Sequence, residues 1–531
     1  MNDPIPADMP ERGSSSSPKR ELIMEKQTNG GDDRPDKTKD LPDDTTLTSR
    51  DDNTWEEKEA KDPNEVDFDG PDDPFNPLNQ PIWRKWVSVF TVASGAICVT
   101  CASSMASSTY AGIERSFGIS NEVAILTVSL FVIGLGLGPL LLGPVSEFVG
   151  RRAVYLGSFA AFLPVHLIFR FITGLAGSSF LSVAGGTVAD LFENDKLGTP
   201  MALYSTSPFL GPVLGPLISG FINQNTTWRW TFYLVLIWAG VELVLIYLFA
   251  PETYKPQVLK IKARHLRKTT GNQELYAPVE RSDRSFMQTL AVSIKTPFII
   301  LATQPMAVLL NLWTSVVLGI LYLFFNAFPI TFMGNKGFNQ QESGLSFLGI
   351  GIGQVLASAC APFWSRVYKR EAAKHGGVAP PESRLLMGMA GAIATPIGLF
   401  IFAFTTYPNV HWIAPILGSI PFGMGIVWTF SSVFTYLVES PSSAYRPVAA
   451  SAMASNSFMR SSFAAGFPLF AKQMFDRLGT VGASALLAGL TCCLAPLPFI
   501  FYRIGGRVRE RSKFGAGSKV NEQNTNDNKK A

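Results

Sequence analysis

Four ionisable residues, Arg170, Asp190, Glu242 and Arg460, lie inside or at the end of long apolar stretches. Charge in such surroundings is costly, so each position is a candidate for moving a proton, holding a charged solute or pairing with an opposite charge. Arg170 opens the run Arg-Phe-Ile-Thr-Gly174, and Asp190 lies twenty residues further on. On one helix that separation is about 30 Å, too far for a direct pair. Asp190 instead suits a structural partnership with Arg151 and Arg152, whereas Arg170 suits a functional charge. Glu242, and Arg460 close to Asn456, fit functional charges and buried structural pairs equally well.

Two glycine-rich motifs stand beside them. In Gly143-Pro-Val-Ser-Glu-Phe-Val-Gly-Arg-Arg152, Gly143 and Gly150 allow a tight turn, and Glu147 can pair with Arg151, Arg152 or a helix N-terminus. Such a charged latch holds one packing of two helices and releases in another; a plain basic anchor accounts for the same residues. In Gly211-Pro-Val-Leu-Gly-Pro-Leu-Ile-Ser-Gly220, Gly211 and Gly215 share a helix face and admit a close neighbour. Pro212 and Pro216 each remove a backbone donor and bend the helix, and Gly220 closes the run. A kinked packing helix is the plainer reading of that motif. Asn311, Trp313, Tyr322, Phe325 and Asn326, with Asn456 and Arg460, would line a cavity suited to amphipathic organic molecules. Ordinary interhelical hydrogen bonding and core packing account for them equally.

Catalysis is not indicated. The chain has no GxxxxGK[ST] loop, nucleophile elbow or HExxH pair, so no enzyme, catalytic residue or cofactor is expected. Cys98, Cys101, Cys360, Cys492 and Cys493 lie in apolar blocks without a second pair at zinc spacing, so no metal is expected. Asn225-Thr-Thr227 is a glycosylation acceptor close to an apolar segment.

The elements that must position these residues are apolar helices of membrane length. A block of about 20 apolar residues at 1.5 Å rise matches a hydrocarbon core of roughly 30 Å. Such blocks predict spans at Trp86–Tyr110, Val123–Val145, Ala153–Phe169, Arg170–Phe192, Pro200–Ile222 and Phe232–Ala250. A second set follows at Pro305–Phe328, Leu345–Trp364, Leu385–Phe404, Ile413–Leu437, Ala449–Phe470 and Gly482–Tyr502. The fold class is therefore all-α membrane protein, twelve helices in two six-helix bundles. Residues 1–82 form an acidic disordered tail, 83–250 the first bundle, 251–297 a central loop, 298–502 the second bundle and 503–531 a basic tail.

Charge divides the same way. Residues 1–82 carry 22 acidic and 10 basic side chains, and the rest carries 19 acidic and 35 basic. Basic residues gather on one side: Arg151 and Arg152, nine Lys and Arg between Pro251 and Pro297, Arg366 to Arg384, and Arg503 to Lys513. The opposite loops hold only Arg115, Arg229, Lys336, Lys472 and Arg477. Basic loops stay in the cytoplasm, so both termini are expected there. A weak repeat links the halves. Gly134-Leu-Gly-Leu-Gly138 lies in span 2 and Gly349-Ile-Gly-Ile-Gly353 in span 8, each followed by a proline and a basic residue seven positions beyond it. Duplicated bundles of this kind characterise secondary transporters, with the site between the halves.

Several of these motifs occur together. Gly143 to Arg152, Arg170 to Gly174, Gly211 to Gly220, Trp228-Arg-Trp230, Pro251-Glu-Thr-Tyr254, Tyr322 to Phe325, Asn456 to Arg460 and Phe467 to Phe470 resemble the twelve-span drug:proton antiporters of the major facilitator superfamily, in their fungal form. The resemblance covers roughly Asn79 to Gly506. It implies a latch at Gly143, Glu147, Gly150, Arg151 and Arg152, proton coupling at Arg170, and an antiporter motif at Gly211, Pro212, Gly215, Pro216 and Gly220. It implies export of small organic compounds in exchange for protons, at the plasma membrane, by a monomer whose partners are its substrate, protons and lipid, not nucleic acid. Proton-coupled nutrient uptake and a non-transporting sensor are the alternatives. Three departures follow. Phe148 replaces a frequent basic residue, Gln304 and Asn326 replace frequent glutamates, and spans 3 and 4 share only the 40 residues 153–192. That hairpin is either unusually tight or missing a segment.

Overall fold

The computed structural model describes residues 62–511, apart from positions 63, 71, 166–169, 194–195, 282–285, 378 and 440–445. Helices dominate the described residues. A backbone in hydrocarbon finds no water, so each crossing segment must satisfy its own N–H and C=O groups as a helix. Span 1 runs Ile82–Phe117, span 2 Asn121–Val149, span 3 Arg151–Val165 and span 4 Arg170–Leu191. Span 5 is Gly198–Asn225 and span 6 Arg229–Phe249. Beyond the central loop, span 7 is Pro305–Asn335, and span 8 is Gln340–Ala359 bent by 40° into Ala361–Lys374. Spans 9 and 10 are Leu385–Thr405 and Ile413–Glu439. Arg446–Leu494 is two helices, because Gly479 at φ 69° takes a left-handed turn that ends span 11 and starts span 12. Span 12 then continues through Pro496–Arg511.

These ends mostly overshoot the apolar blocks, because helices project past the hydrocarbon into the polar boundary. The tight turn expected between spans 3 and 4 falls on residues 166–169, outside the described residues. So do most of the acidic tail and the basic tail beyond residue 511.

The glycine repeat positions both bundles. A Cβ on Gly134 or Gly138 would strike the span 4 backbone at Phe171 or Leu175, and one on Gly136 would meet Ser457 and Ser461 of span 11. The second copy repeats this register. Gly349 and Gly353 abut the span 10 backbone at Ile416 and Ile420, while Gly351 faces Val213 of span 5. Outer glycines of each triplet therefore bind their own half, and the middle one faces the other half.

Two regions differ from the sequence expectation. Residues 286–297, expected in the polar loop, begin the helix Phe286–Thr303. It packs beneath both halves, with Phe286 5.1 Å from Phe148 of span 2 and Phe298 5.2 Å from Phe458 of span 11. Pro305 forces the preceding Gln304 out of the helical region, which separates this helix from span 7.

Residues 64–80, expected in the disordered tail, pack on the central-loop helix Lys255–Thr270. Lys262 Nζ donates to Asp73 Oδ2 at 2.5 Å and to Asp69 Oδ2 at 2.7 Å. Val66 lies against Leu259, Ala263 and Ala277, and Glu65 pairs as a single bridge with Tyr276. Composition argued for disorder; one buried lysine with two aspartates overrides it locally. Burial opposes charge on Asp73, but Lys262 and the N–H groups of Asp69 and Phe75 outweigh it and hold the carboxyl below its usual 3.8. Burial also works against the charge on Lys262, yet Asp69 and Asp73 raise it above 10.5. The pair's contribution is thus lost only as pH falls through the lowered aspartate value or rises through the raised lysine value. Cleavage by an aspartate-directed protease before Asp67 to Asp73 should be equal at about pH 5.5 and 8.5. Lys262→Met should speed it about tenfold or more, since a hydrogen bond to a charged group is worth about 1.5–3 kcal/mol.

Candidate functional site

The glycine turn after span 2 creates a charged cluster. Gly150 has φ 99°, and span 3 starts at the next residue with exposed backbone donors. Glu252, just past span 6, accepts them: Oε1 takes the N–H of Arg151 at 3.0 Å, and Oε2 takes that of Arg152 at 3.1 Å. The same Oε1 also accepts from Thr253 and Tyr254 at 3.1 and 3.0 Å. A carboxylate at a helix N-terminus is favoured by the dipole as well as by these bonds. The pairing with the start of span 3 expected of Glu147 is made by Glu252; Glu147 itself is exposed. Arg151 Nε donates to Asp190 Oδ2 at 2.6 Å, and Thr253 Oγ1 donates to the same oxygen at 3.2 Å. Arg152 donates to the Tyr247 carbonyl at 2.8 Å, and Gln257 to that of Phe148. Gly143 closes on nothing within contact distance. Spans 2, 3, 4 and 6 are thus tied at one end by a single cluster.

The charges inside the spans are handled differently. Arg170 Nε donates to the Thr127 carbonyl and a terminal nitrogen to the Ala102 carbonyl, both at 2.9 Å, with the Phe131 ring 4.6 Å beneath the guanidinium. Its other terminal nitrogen is buried without a partner among the described residues, as is the Tyr110 hydroxyl. Glu242 is buried and accepts from Ser94 at 3.0 Å. Arg460 lies over Phe430 and Phe434 at 5.9 and 5.4 Å, and its Nε has no partner among the described residues. Glu242 and Arg460 do not pair with each other.

Between the halves lies a cavity of about 50 Å³, lined by Thr100, Val132, Leu135, Leu181, Pro208, Phe209, Pro212, Leu318, Tyr322, Arg460 and Ser461. It has room for a few water molecules but not for a drug-sized solute, so the site is contracted. Of the seven residues expected to line it, Tyr322 and Arg460 do so. Asn456 instead donates to Asn311 at 2.9 Å and Thr314 at 2.8 Å, and Asn311 donates to Ser455 at 3.1 Å. These bonds lie within the second bundle, and the Asn456 side-chain oxygen is left buried without a partner among the described residues. Trp313 is fully buried in that bundle, Phe325 meets Tyr322 edge to face at 5.0 Å, and Asn326 donates to the Pro468 carbonyl at 3.4 Å. Phe209, Leu135 and Ser461 were not singled out from the sequence; Ser461 adjoins Arg460, the one available signal.

Span 5 bridges all of this. Gly211 and Gly215 press on Thr100, Cys101, Ser104 and Met105 of span 1, and Ser104 donates back to the Gly211 carbonyl at 3.1 Å. Gly220 lies against the Gln340 main chain, at the start of span 8. Pro212 and Pro216 stay within one continuous helix, with Pro212 on the cavity wall. The Tyr322 hydroxyl meets Ser103 at 2.9 Å across the halves.

A sequence profile for the Major Facilitator Superfamily matches residues 92–468. The chain belongs to this superfamily. Among curated superfamily proteins, the efflux pump atB of Aspergillus terreus is 45% identical over 86% of this chain and 90% of its own. The probable drug/proton antiporter YHK8 of Saccharomyces cerevisiae is 41% identical over 80% of this chain and 84% of its own. The xylose transporter XylE of E. coli, in a partially occluded inward-open state, superposes with a TM-score of 0.56 at 16% identity, over 79% of this chain and 98% of that one. That likeness shows the fold. The facilitator chain is a multi-span membrane transporter and not an enzyme.

Asn225 is exposed at the end of span 5, donating to the Phe221 carbonyl at 2.8 Å. Gly215 yields a direct test of the close approach to span 1. A Cβ there would collide with the Ser104 hydroxyl, so Gly215→Ala should cost about 1–3 kcal/mol and lower the thermal midpoint. Ser104→Gly in the same chain should restore part of that loss, read as the coupling in a double-mutant cycle.

Proposed function

We propose that this chain exports small organic compounds from the cytosol in exchange for protons, working as a monomer in the plasma membrane with both termini cytoplasmic. The observation that carries this is span 5, whose doubled Gly-Pro run presses on span 1, meets span 8 and walls the cavity with Pro212. Movement of that helix changes the cavity and the seam between halves together. Relatives named as an efflux pump and a probable drug/proton antiporter support the direction and the coupling. The basic loops after spans 2, 6, 8 and 12 support the orientation.

The cluster of Glu252, Arg151 and Asp190 serves as the latch: it holds four helix ends of the first bundle in one arrangement and must loosen or move as a unit when the halves rock. Arg170 provides a fixed positive charge tying spans 1, 2 and 4 together beside the unpartnered Tyr110 hydroxyl. Its role is to couple proton entry to that packing.

Proteoliposomes loaded with a fluorescent substrate should show efflux that accelerates when a proton gradient opposes the substrate flow. Rates identical with and without the gradient would exclude proton exchange. Arg170→Ala should abolish the gradient-driven rate at normal protein level while leaving gradient-free substrate exchange. Normal gradient-driven transport by that variant would remove Arg170 from the coupling.

A further inference from the structure

We infer that the cavity recognises organic anions, specifically amphipathic carboxylates, through Arg460. This rests on the export reading for its physiological meaning, but the binding claim stands on the site itself. The cavity wall carries one charged side chain and no carboxylate. Arg460 has no ion pair among the described residues, and its Nε is buried without an acceptor. A cation in such surroundings is stable only with a counter-charge or a full set of hydrogen bonds. Phe430 and Phe434 stand 5.9 and 5.4 Å from the guanidinium and offer it only aromatic faces. The planar N–H fork matches a carboxylate with two parallel bonds, better than it matches a neutral carbonyl.

The rest of the wall is consistent with such a solute. Once the halves part and widen the contracted cavity, Val132, Leu135, Leu181, Phe209 and Leu318 would receive an apolar or aromatic body. No carboxylate lines the cavity to attract a cation. Asn326 is spent on the Pro468 carbonyl. An ammonium solute would meet Arg460 as a like charge without relief.

Three probes of nearly one shape decide the matter: 4-phenylbutyrate, 4-phenylbutyramide and 4-phenylbutylamine, each added to the purified full-length chain at neutral pH. The carboxylate should raise the thermal midpoint and bind at least tenfold more tightly than the amide or the amine, a difference of about 1.4 kcal/mol or more. Arg460→Gln should erase that preference, and Arg460→Lys should keep part of it. If Arg460→Gln does not fold, the order of the three probes on the unaltered protein still decides. An amine that binds as tightly as the carboxylate overturns the inference, as does an Arg460→Gln protein with undiminished carboxylate preference. The export reading is separated by loading the same probes into proteoliposomes. Carboxylate-selective binding without gradient-driven efflux upholds the anion site and defeats export; gradient-driven efflux of the amine alone does the reverse.

Discussion

In hydrocarbon a helix gains nothing by exchanging lipid tails for leucine, so helices hold together by close approach and shared hydrogen bonds. Everything in this fold answers to that constraint. Gly174 abuts the Phe131 carbonyl between spans 2 and 4, and Gly423 abuts the Ile350 carbonyl between spans 8 and 10. In each half a glycine of the fourth span meets a carbonyl of the second. A side chain at either glycine would force the backbones apart. Within a half, then, adjacent helices are locked backbone to backbone. Across the halves most contacts pass through side chains, as with Ser103 and Tyr322, Ser129 and the Ala465 carbonyl, and Phe209 and Phe430. The exception is the end away from the basic loops. There Gly220 meets the Gln340 main chain, and Gly344 meets the Pro216 carbonyl. The halves are closed most tightly at that end, which agrees with the contracted cavity.

The opposite end is organised by charge instead of glycine. Glu252 satisfies the start of span 3, Gln257 reaches back to the end of span 2, and Phe286 packs edge to face against Phe148 in the same place. Glu252 and Gln257 lie on either side of the start of the central-loop helix, so that helix is continuous with the charged cluster. Residues 64–80 grip the same helix through Lys262. The segment before span 1 and the segment after span 6 are consequently joined outside the bundle as well as within it.

Length and apolarity made the spans legible, and the basic residues gather at one end of the bundle as their spacing implied. The register of the glycine triplets was visible as a repeat, although which neighbour each glycine would meet was not. Sequence distance hid the rest. Glu252 serves backbone groups about a hundred positions away, and a backbone N–H leaves no mark in the sequence. Asn311 and Asn456 had the composition of a cavity lining, yet the Asn456 amide nitrogen turns to Asn311 and Thr314 inside the second bundle. Tyr322 and Arg460 do stay on the wall, Tyr322 with its hydroxyl on Ser103 of the other half and Arg460 with its Nε unpartnered among the described residues. The docked stretch at 64–80 was hidden by composition, because average polarity does not register one lysine placed among three backbone turns.

The buried charges of the two halves are treated unequally, and that inequality has mechanical meaning. Arg170, Glu242, Arg151 and Asp190 all bond to groups of their own half, so moving the first bundle as a body breaks none of those bonds. Arg460 belongs to the second bundle but faces a wall built mostly by the first: Thr100, Val132, Leu135, Leu181, Pro208, Phe209 and Pro212. That wall gives it no acceptor. Opening the seam would expose the guanidinium to water or solute, and closing it returns the charge to an apolar surface. The free energy of the closed arrangement therefore depends on what accompanies Arg460. A cavity occupant that supplies the missing acceptor lowers the cost of closure on this site, so occupancy and rocking are linked through one side chain.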